Sequence, residues 1–209
     1  MYSKASANLH NTWETYWAHY HGVTKIGAWS QRQSLNVVFR MLRTFHVSKT
    51  AHIIDVGCGE GRTLQAIRAA GYRRAIGIDN AKASLAICRN NGLVIDRDVF
   101  LRDGTRTGYK AKSFDVVFSE GILEHFLDPT PMIHEMARIS KKYILLIQPN
   151  HFNLYGLAIA ILGHLARNNV REYTYSKNYF IRAFEGEGYR LQSFDYTPLG
   201  EFFVLFFTK

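Results

Sequence analysis

One stretch constrains the rest of this chain: Ile53-Ile54-Asp55-Val56-Gly57-Cys58-Gly59-Glu60-Gly61-Arg62-Thr63. Its first residues are a short apolar run that suits a buried strand. Three glycines follow at alternate positions. Leu64-Gln65-Ala66-Ile67-Arg68-Ala69-Ala70 then reads as a helix closed by Gly71. A strand that turns through glycine into a helix aims backbone N–H groups at whatever lies over the helix N-terminus. Glycine reaches positive φ without strain, and it has no Cβ to hold a ligand off the backbone. The stretch predicts a nucleotide-like cofactor across the turn, against the plainer reading of a tight structural turn.

The dinucleotide fingerprint G-x-G-x-x-G fits poorly, because its sixth position here is Arg62. A bulky side chain there would obstruct the close helix–strand packing that the third glycine permits. The pattern Asp55-x-Gly57-x-Gly59-x-Gly61 instead resembles the first motif of class I S-adenosylmethionine-dependent methyltransferases. Ala75-Ile76-Gly77-Ile78-Asp79 is a second short strand, and it ends in a carboxylate 20 residues beyond Gly59. A carboxylate at that point can accept both hydrogens of a ribose diol. Asn80 reads as the N-cap of the next helix, which stops at Gly92. A third strand within 93–101 leads into Asp103-Gly104.

Ser113 to Glu120 is a fourth strand, followed by Gly121-Ile122-Leu123-Glu124-His125. This is similar to the fourth strand of the same family, where an aspartate opens the strand and a histidine follows a short apolar stretch. Thr130 with Pro131 reads as a helix start. Lys142 to Asn150 is a fifth, apolar strand. Ser176 caps a last helix. Tyr189 to Tyr196 and Phe202 to Phe207, joined by a short turn, must pair as an antiparallel hairpin. Strands alternating with helices indicate a parallel sheet with helices on both faces. The expected fold is thus α/β: a Rossmann-like, seven-stranded methyltransferase sheet, mostly parallel with a C-terminal antiparallel hairpin. Over 209 residues it reads as a single domain. It comprises an N-terminal helical cap (1–50), a cofactor-binding core (51–150), a substrate-side insertion (151–175) and a C-terminal helix and hairpin (176–209).

The resemblance implies roles for particular residues. Asp55 with Gly57, Gly59 and Gly61 would hold the methionine portion of S-adenosylmethionine. Asp79, next to Asn80, would bind the ribose. Asp103 with Gly104 would hold the adenine. Ser119 or Glu120 would face the amino group or the sulfonium. The product would be S-adenosylhomocysteine. His125 is the first candidate for a base, followed by Glu120 and His151, with a packing role for His125 standing beside the catalytic one. No ligand spacing for a metal is visible, and the two cysteines, Cys58 and Cys88, are 30 residues apart.

The acceptor is less constrained. Residues 152–166 read as a nearly all-apolar helix, for which burial, a small apolar acceptor and peripheral membrane contact all compete. A formal charge of +9 favours anionic partners, so RNA is the second acceptor class. Against RNA, the fourth strand ends in Ser-Glu-Gly and lacks the Asn/Asp-Pro-Pro-aromatic pattern of amino-methylating nucleic-acid enzymes. A noncatalytic S-adenosylmethionine-binding protein is the reading from another class. Trp13, Tyr16, Trp17 and Tyr20 form one aromatic helix face, read first as core packing and second as a lid over the cofactor. Leu35, Val38, Phe39, Leu42 and Phe45 mark a second helix, with Gly22 to Ser30 as the loop between. Few cysteines and no signal-peptide core fit a cytoplasmic location. The oligomeric state is left open.

Overall fold

Ile53–Val56 (β1) is buried along its whole length, because it lies in the middle of a sheet covered on both faces. The structure is a computed structural model that describes residues 12–20, 25–154, 157, 161 and 171–209. The other strands are β2 (Ala75–Asp79), β3 (Val99–Leu101), β4 (Phe114–Glu120), β5 (Ser140–Pro149), β6 (Arg190–Tyr196) and β7 (Phe202–Thr208). They form one seven-stranded sheet in the order β3-β2-β1-β4-β5-β7-β6. All pairings from β3 to β5 are parallel. β7 is antiparallel to both β5 and β6, so the expected hairpin is present and β7 inserts between its partner and the parallel strands.

Alternate side chains of each central strand enter opposite layers. Leu145, Ile147, Val204 and Phe206 join one cluster, under helices α1 (Lys25–Thr44), α2 (Arg62–Ala69) and α3 (Lys82–Asn90). Ile144, Leu146, Phe203, Leu205 and Phe207 join the other, under α4 (Thr130–Ile139) and α5 (Lys177–Gly186). Helix α1 contributes a stripe of Ser34, Val37, Val38, Met41 and Leu42, with Phe39 and Phe45 at its margin.

Several local expectations are corrected. The chain is already helical at Lys25, so residues 25–30 of the expected loop belong to α1. One glycine, Gly27, does not break a helix that is anchored at Ser30, whose hydroxyl donates to buried Glu201 (2.6 Å). Asn80 is not the cap of α3. Ala81 holds that position without a side-chain bond, and Glu14 reaches across to accept from Lys82 N–H (2.7 Å) and Ala83 N–H (3.1 Å). Thr130 is the first residue of α4 rather than its cap, and Asp128 accepts its N–H (3.0 Å). The third strand is only three residues long, since Asp98 turns back on Val94 N–H and both Arg97 and Arg68. Ser176 does cap α5, accepting from Tyr179 N–H (3.2 Å).

Burial was one expectation for the 152–166 helix, and the described part of it is not buried. Leu154, Leu157 and Ile161 are helical and 88%, 45% and 53% exposed. Residues 155–156, 158–160 and 162–166 lie outside the described residues. Among the described residues no helix is long and apolar enough to cross a membrane.

The sheet centre carries the stability. Leu146 is fully buried between β4 and β7. Leu146→Ala is expected to lower the unfolding free energy by about 2–5 kcal/mol in urea titrations. Phe194→Ala, on the exposed edge strand β6, should cost less than about 1 kcal/mol.

Candidate active site

The strand order reverses between β1 and β4, and in open α/β sheets a ligand crevice lies at the carboxyl edge of such a switch point. The glycine turn leaves β1 at this edge. Gly57, Gly59 and Gly61 all adopt positive φ (79°, 52° and 78°), as the spacing predicts. Space demands glycine as well as torsion. A Cβ on Gly59 would sit 2.8 Å from the Trp17 ring, and one on Gly57 would strike Ile122 of the loop after β4.

The turn is held from within. Gly57 N–H and Cys58 N–H both donate to Ile78 O (2.9 and 3.0 Å), and Gly61 N–H donates to Cys58 O (2.9 Å). Gly59 N–H donates to Asp79 Oδ2 (2.9 Å) while Ala81 N–H donates to Asp79 Oδ1 (2.9 Å). These glycine N–H groups therefore shape the turn rather than face a ligand. What faces outward is the N-terminus of α2, which begins at Arg62 without a side-chain cap. Arg62 itself pairs with Glu60, and Tyr20 O–H also donates to Glu60 (2.9 Å). Burial, reinforced by the Glu60 charge, pushes the Tyr20 hydroxyl up to about 12.

Three carboxylates converge around this terminus. Asp55, at the end of β1, is raised well above its usual range by burial, then by the charges of Glu120 and Asp79. Glu120, at the end of β4, is raised by burial against hydrogen bonds from Thr63 (2.6 Å) and Gln31. Asp79 is raised by burial against its backbone donors. Arg62 is the cation that eases Glu120. A cation placed among them would favour the ionised form of each.

The remaining expected residues are more scattered. Ser119 is fully buried and its hydroxyl donates to Val56 O (3.1 Å), so of the Ser119/Glu120 pair only Glu120 reaches the crevice. Asp103 follows β3 and turns its Oδ1 onto Thr105 N–H and O–H (both 2.8 Å). Gly104 is packed where a Cβ would meet Met132 and Val56. Asn80 is partly buried beside Asp79. Among the described residues no group of three or more His, Cys, Asp or Glu is placed to hold a metal.

Two coverings were not resolved by sequence. The first is the helical segment 12–18. Trp17 lies over Gly59, the Trp13 and His125 rings meet edge to face with centroids 4.7 Å apart, and Glu14 grips α3. The aromatic face thus covers the glycine turn. The second covering is a strap, residues 171–175, which crosses the loops after β4 and β5. Tyr173 N–H donates to Glu124 O (2.6 Å), and Tyr175 O–H to Phe126 O and Leu127 O (2.8 and 2.9 Å).

Both histidines named from sequence touch this strap. His125, in the 3-10 turn Leu123–His125, is buried, and its Nδ1 lies 2.9 Å from Arg171 O. A carbonyl only accepts, so that nitrogen carries the proton. His125 therefore joins the strap to the Trp13 side of the lid. His151, just past β5, sets Nδ1 3.1 Å from Thr174 Oγ1 and Nε2 3.8 Å from Glu172 Oε2. Its Nε2 is buried with no hydrogen-bond partner. An unsatisfied buried polar group costs about 1–3 kcal/mol, so such an atom calls for an explanation.

The double bond to Asp79 has a direct consequence. Asp79→Ala leaves Gly59 N–H and Ala81 N–H without acceptors, and is expected to cost about 1–3 kcal/mol of stability apart from any ligand effect. Thermal denaturation of the unliganded variant checks this, and an unchanged midpoint would contradict the bridging role.

The methyltransferase-domain family matches residues 54–146. Over 92 residues the chain is 36% identical to a ubiquinone biosynthesis O-methyltransferase of Hahella chejuensis, covering 43% of this chain and 38% of that protein. Over 98 residues it is 35% identical to a tRNA U34 carboxymethyltransferase of Tolumonas auensis, covering 44% and 29%. The chain thus spans well under half the length of these curated relatives. In shape it matches magnesium protoporphyrin IX methyltransferase from Synechocystis, solved with bound S-adenosylmethionine, at a TM-score of 0.74 and 14% identity, over 100% of this chain and 98% of that one.

Proposed function

We propose that the chain, whose residues 54–146 match the methyltransferase-domain family and whose fold matches a solved methyltransferase, is an S-adenosylmethionine-dependent methyltransferase acting on a small acceptor. The observation that carries the reading is the pairing of an uncapped α2 N-terminus with Asp55, Asp79 and Glu120. The methionine end of the cofactor has a carboxylate, an ammonium and a sulfonium. The helix terminus suits the carboxylate. The buried acids suit the two cations.

In this reading Asp79 keeps a lone pair on each oxygen for the ribose hydroxyls. Asp103 and Gly104 border the adenine, and Trp17 closes over the turn. Methyl transfer is in-line displacement at carbon with the thioether leaving, so this chain contributes chiefly position and exclusion of water. The acceptor side lies between the loops after β4 and β5, under the strap. The exposed apolar residues Phe152, Leu154 and Leu157 stand next to it in the chain and favour an acceptor with apolar surface. A curated relative named for tRNA and the charge of +9 keep RNA as the second acceptor class. The two buried free thiols accord with a cytoplasmic setting.

Calorimetric titration tests the cofactor. Binding of S-adenosylmethionine and S-adenosylhomocysteine at about micromolar Kd, near −8 kcal/mol, with none for NAD, is expected. Asp79→Asn is the proper control, since it keeps an acceptor for one backbone N–H. No binding of either sulfur compound by folded protein would sink the proposal.

The raised carboxyl groups add a pH signature. A carboxyl whose folded pKa is raised stabilises the unliganded chain at low pH and loses that contribution as pH rises through the folded value. The cationic cofactor favours the ionised forms, so binding releases protons. The rise in Tm given by S-adenosylmethionine should therefore be larger at about pH 7 than at about pH 5. An equal rise at both would remove the buried acids from the site.

A further inference from the structure

We propose that His151, with Thr174 and Glu172, is the proton acceptor of the methyl transfer, and that the acceptor it serves is a weakly acidic hydroxyl of the phenolic or enolic kind. The inference rests on the methyltransferase reading above and names the chemistry of its acceptor side.

The argument begins with placement. β5 pairs in parallel with β4, Ile147 lying opposite Glu120, so His151 emerges at the same edge of the sheet as the acidic cluster. Its backbone is fixed on one side, because Asn150 N–H donates to Glu201 O (2.8 Å) and Asn150 Nδ2 to Gly200 O (2.8 Å). The strap fixes the ring on the other side. Thr174 Oγ1 can accept as well as donate, and in the tautomer that the base requires Nδ1 donates to it, which leaves the lone pair on Nε2. That side chain is 8% exposed, and its Nε2 is the buried ring nitrogen that lacks a hydrogen bond.

Charge completes the set. Among the described residues Glu172 is the group whose charge acts on His151. At 3.8 Å it is too far for a hydrogen bond, yet close enough to stabilise an imidazolium. Burial holds the imidazole below its ordinary pKa, with Glu172 opposing, so the ring is neutral near pH 7 and free to take a proton. His125 is placed differently: its Nδ1 is joined to Arg171 O and its ring to Trp13, which fits it to hold lid and strap together.

The step balances. The acceptor O–H gives its proton to Nε2 as its oxygen attacks the methyl carbon. The carbon–sulfur bond breaks with its electron pair going to sulfur, and the oxygen–carbon bond forms. Neutral thioether and methyl ether leave, and His151 is left as imidazolium beside Glu172, from which the proton passes to water. Thr174 and Glu172 are positioning residues, acting through the ring.

The test uses two catechols of different acidity, 4-methylcatechol and 4-nitrocatechol, with S-adenosylhomocysteine release as readout. His151→Asn should lower kcat about 10²–10⁴-fold on 4-methylcatechol, which must lose its proton in the step, but no more than about tenfold on the readily ionised 4-nitrocatechol. KM for S-adenosylmethionine should stay unchanged. Glu172→Gln should move the acidic limb of the kcat profile to lower pH, since it removes the charge that raises the imidazole. Equal losses on both catechols, an unmoved limb, or cofactor binding without methylation of either catechol would overturn the proposal alone. Failure to bind S-adenosylmethionine overturns the underlying reading and this proposal with it. Should His151→Asn not fold, ring ¹⁵N shifts of the wild-type chain decide: a bare Nε2 at about pH 7 is expected, and a protonated Nε2 refutes the base.

Discussion

A single carboxylate joins the two motifs on which this fold turns. Asp79 takes Gly59 N–H on one oxygen and Ala81 N–H on the other, so the end of β2 grips the glycine turn after β1 and the entry to α3 together. Without it, a turn with three positive-φ glycines would lose an anchor at its middle residue. The bond also consumes a donor that would otherwise face the crevice. Position in the sheet makes the same residue the natural partner of a ribose, and its second lone pairs make the two roles compatible. The distance of 20 residues between Gly59 and Asp79 is thus a length constraint as well as a motif. It is the chain needed to run one helix back and one strand forward.

The central sheet was legible because strands buried on both faces write themselves as short apolar runs, and because the antiparallel end follows from a turn too short for a crossover. What sequence missed has a common cause. The loop expected at Gly22 to Ser30 is helix from Lys25 because a tertiary bond, Ser30 to buried Glu201, outweighs one weak helix former. The cap on α3 comes from Glu14, 68 residues away in the chain. Ser119 looked like a site residue by position but lies on the wrong side of the pleat, its hydroxyl tied to β1. In each case the deciding partner is remote, and local periodicity carries no trace of it.

The strap 171–175 is the clearest example. Glu-Tyr-Thr-Tyr has neither the period of a helix nor the alternation of a buried strand, and it forms neither. It is ordered by what it crosses: a backbone bond to Glu124, a hydroxyl shared between Phe126 and Leu127, and a histidine on each flank. One cue was present, a cluster of tyrosines after an apolar segment, since tyrosine can bury its ring and still donate at the rim. The aromatic face at Trp13, Tyr16, Trp17 and Tyr20 is the companion case. Its spacing was plain, but spacing does not say whether an apolar face meets the core or a crevice. Trp17 lies against the glycine turn itself, because only a residue without a Cβ admits an indole that close.

Net charge and local charge point in opposite directions here, and the local one governs the chemistry. The chain carries +9 overall, which draws anions toward its surface. Yet the crevice at the switch point holds Asp55, Asp79 and Glu120, whose burial makes each reluctant to ionise without a cation. Surface charge acts through water and is screened over about 10 Å at ordinary ionic strength. The buried acids act on one another directly. A basic exterior therefore does not weaken the case for a cationic cofactor inside. It bears on a separate matter, the approach of the acceptor, and an acceptor that ionises as it reacts is one that both the basic surface and a neutral His151 would favour.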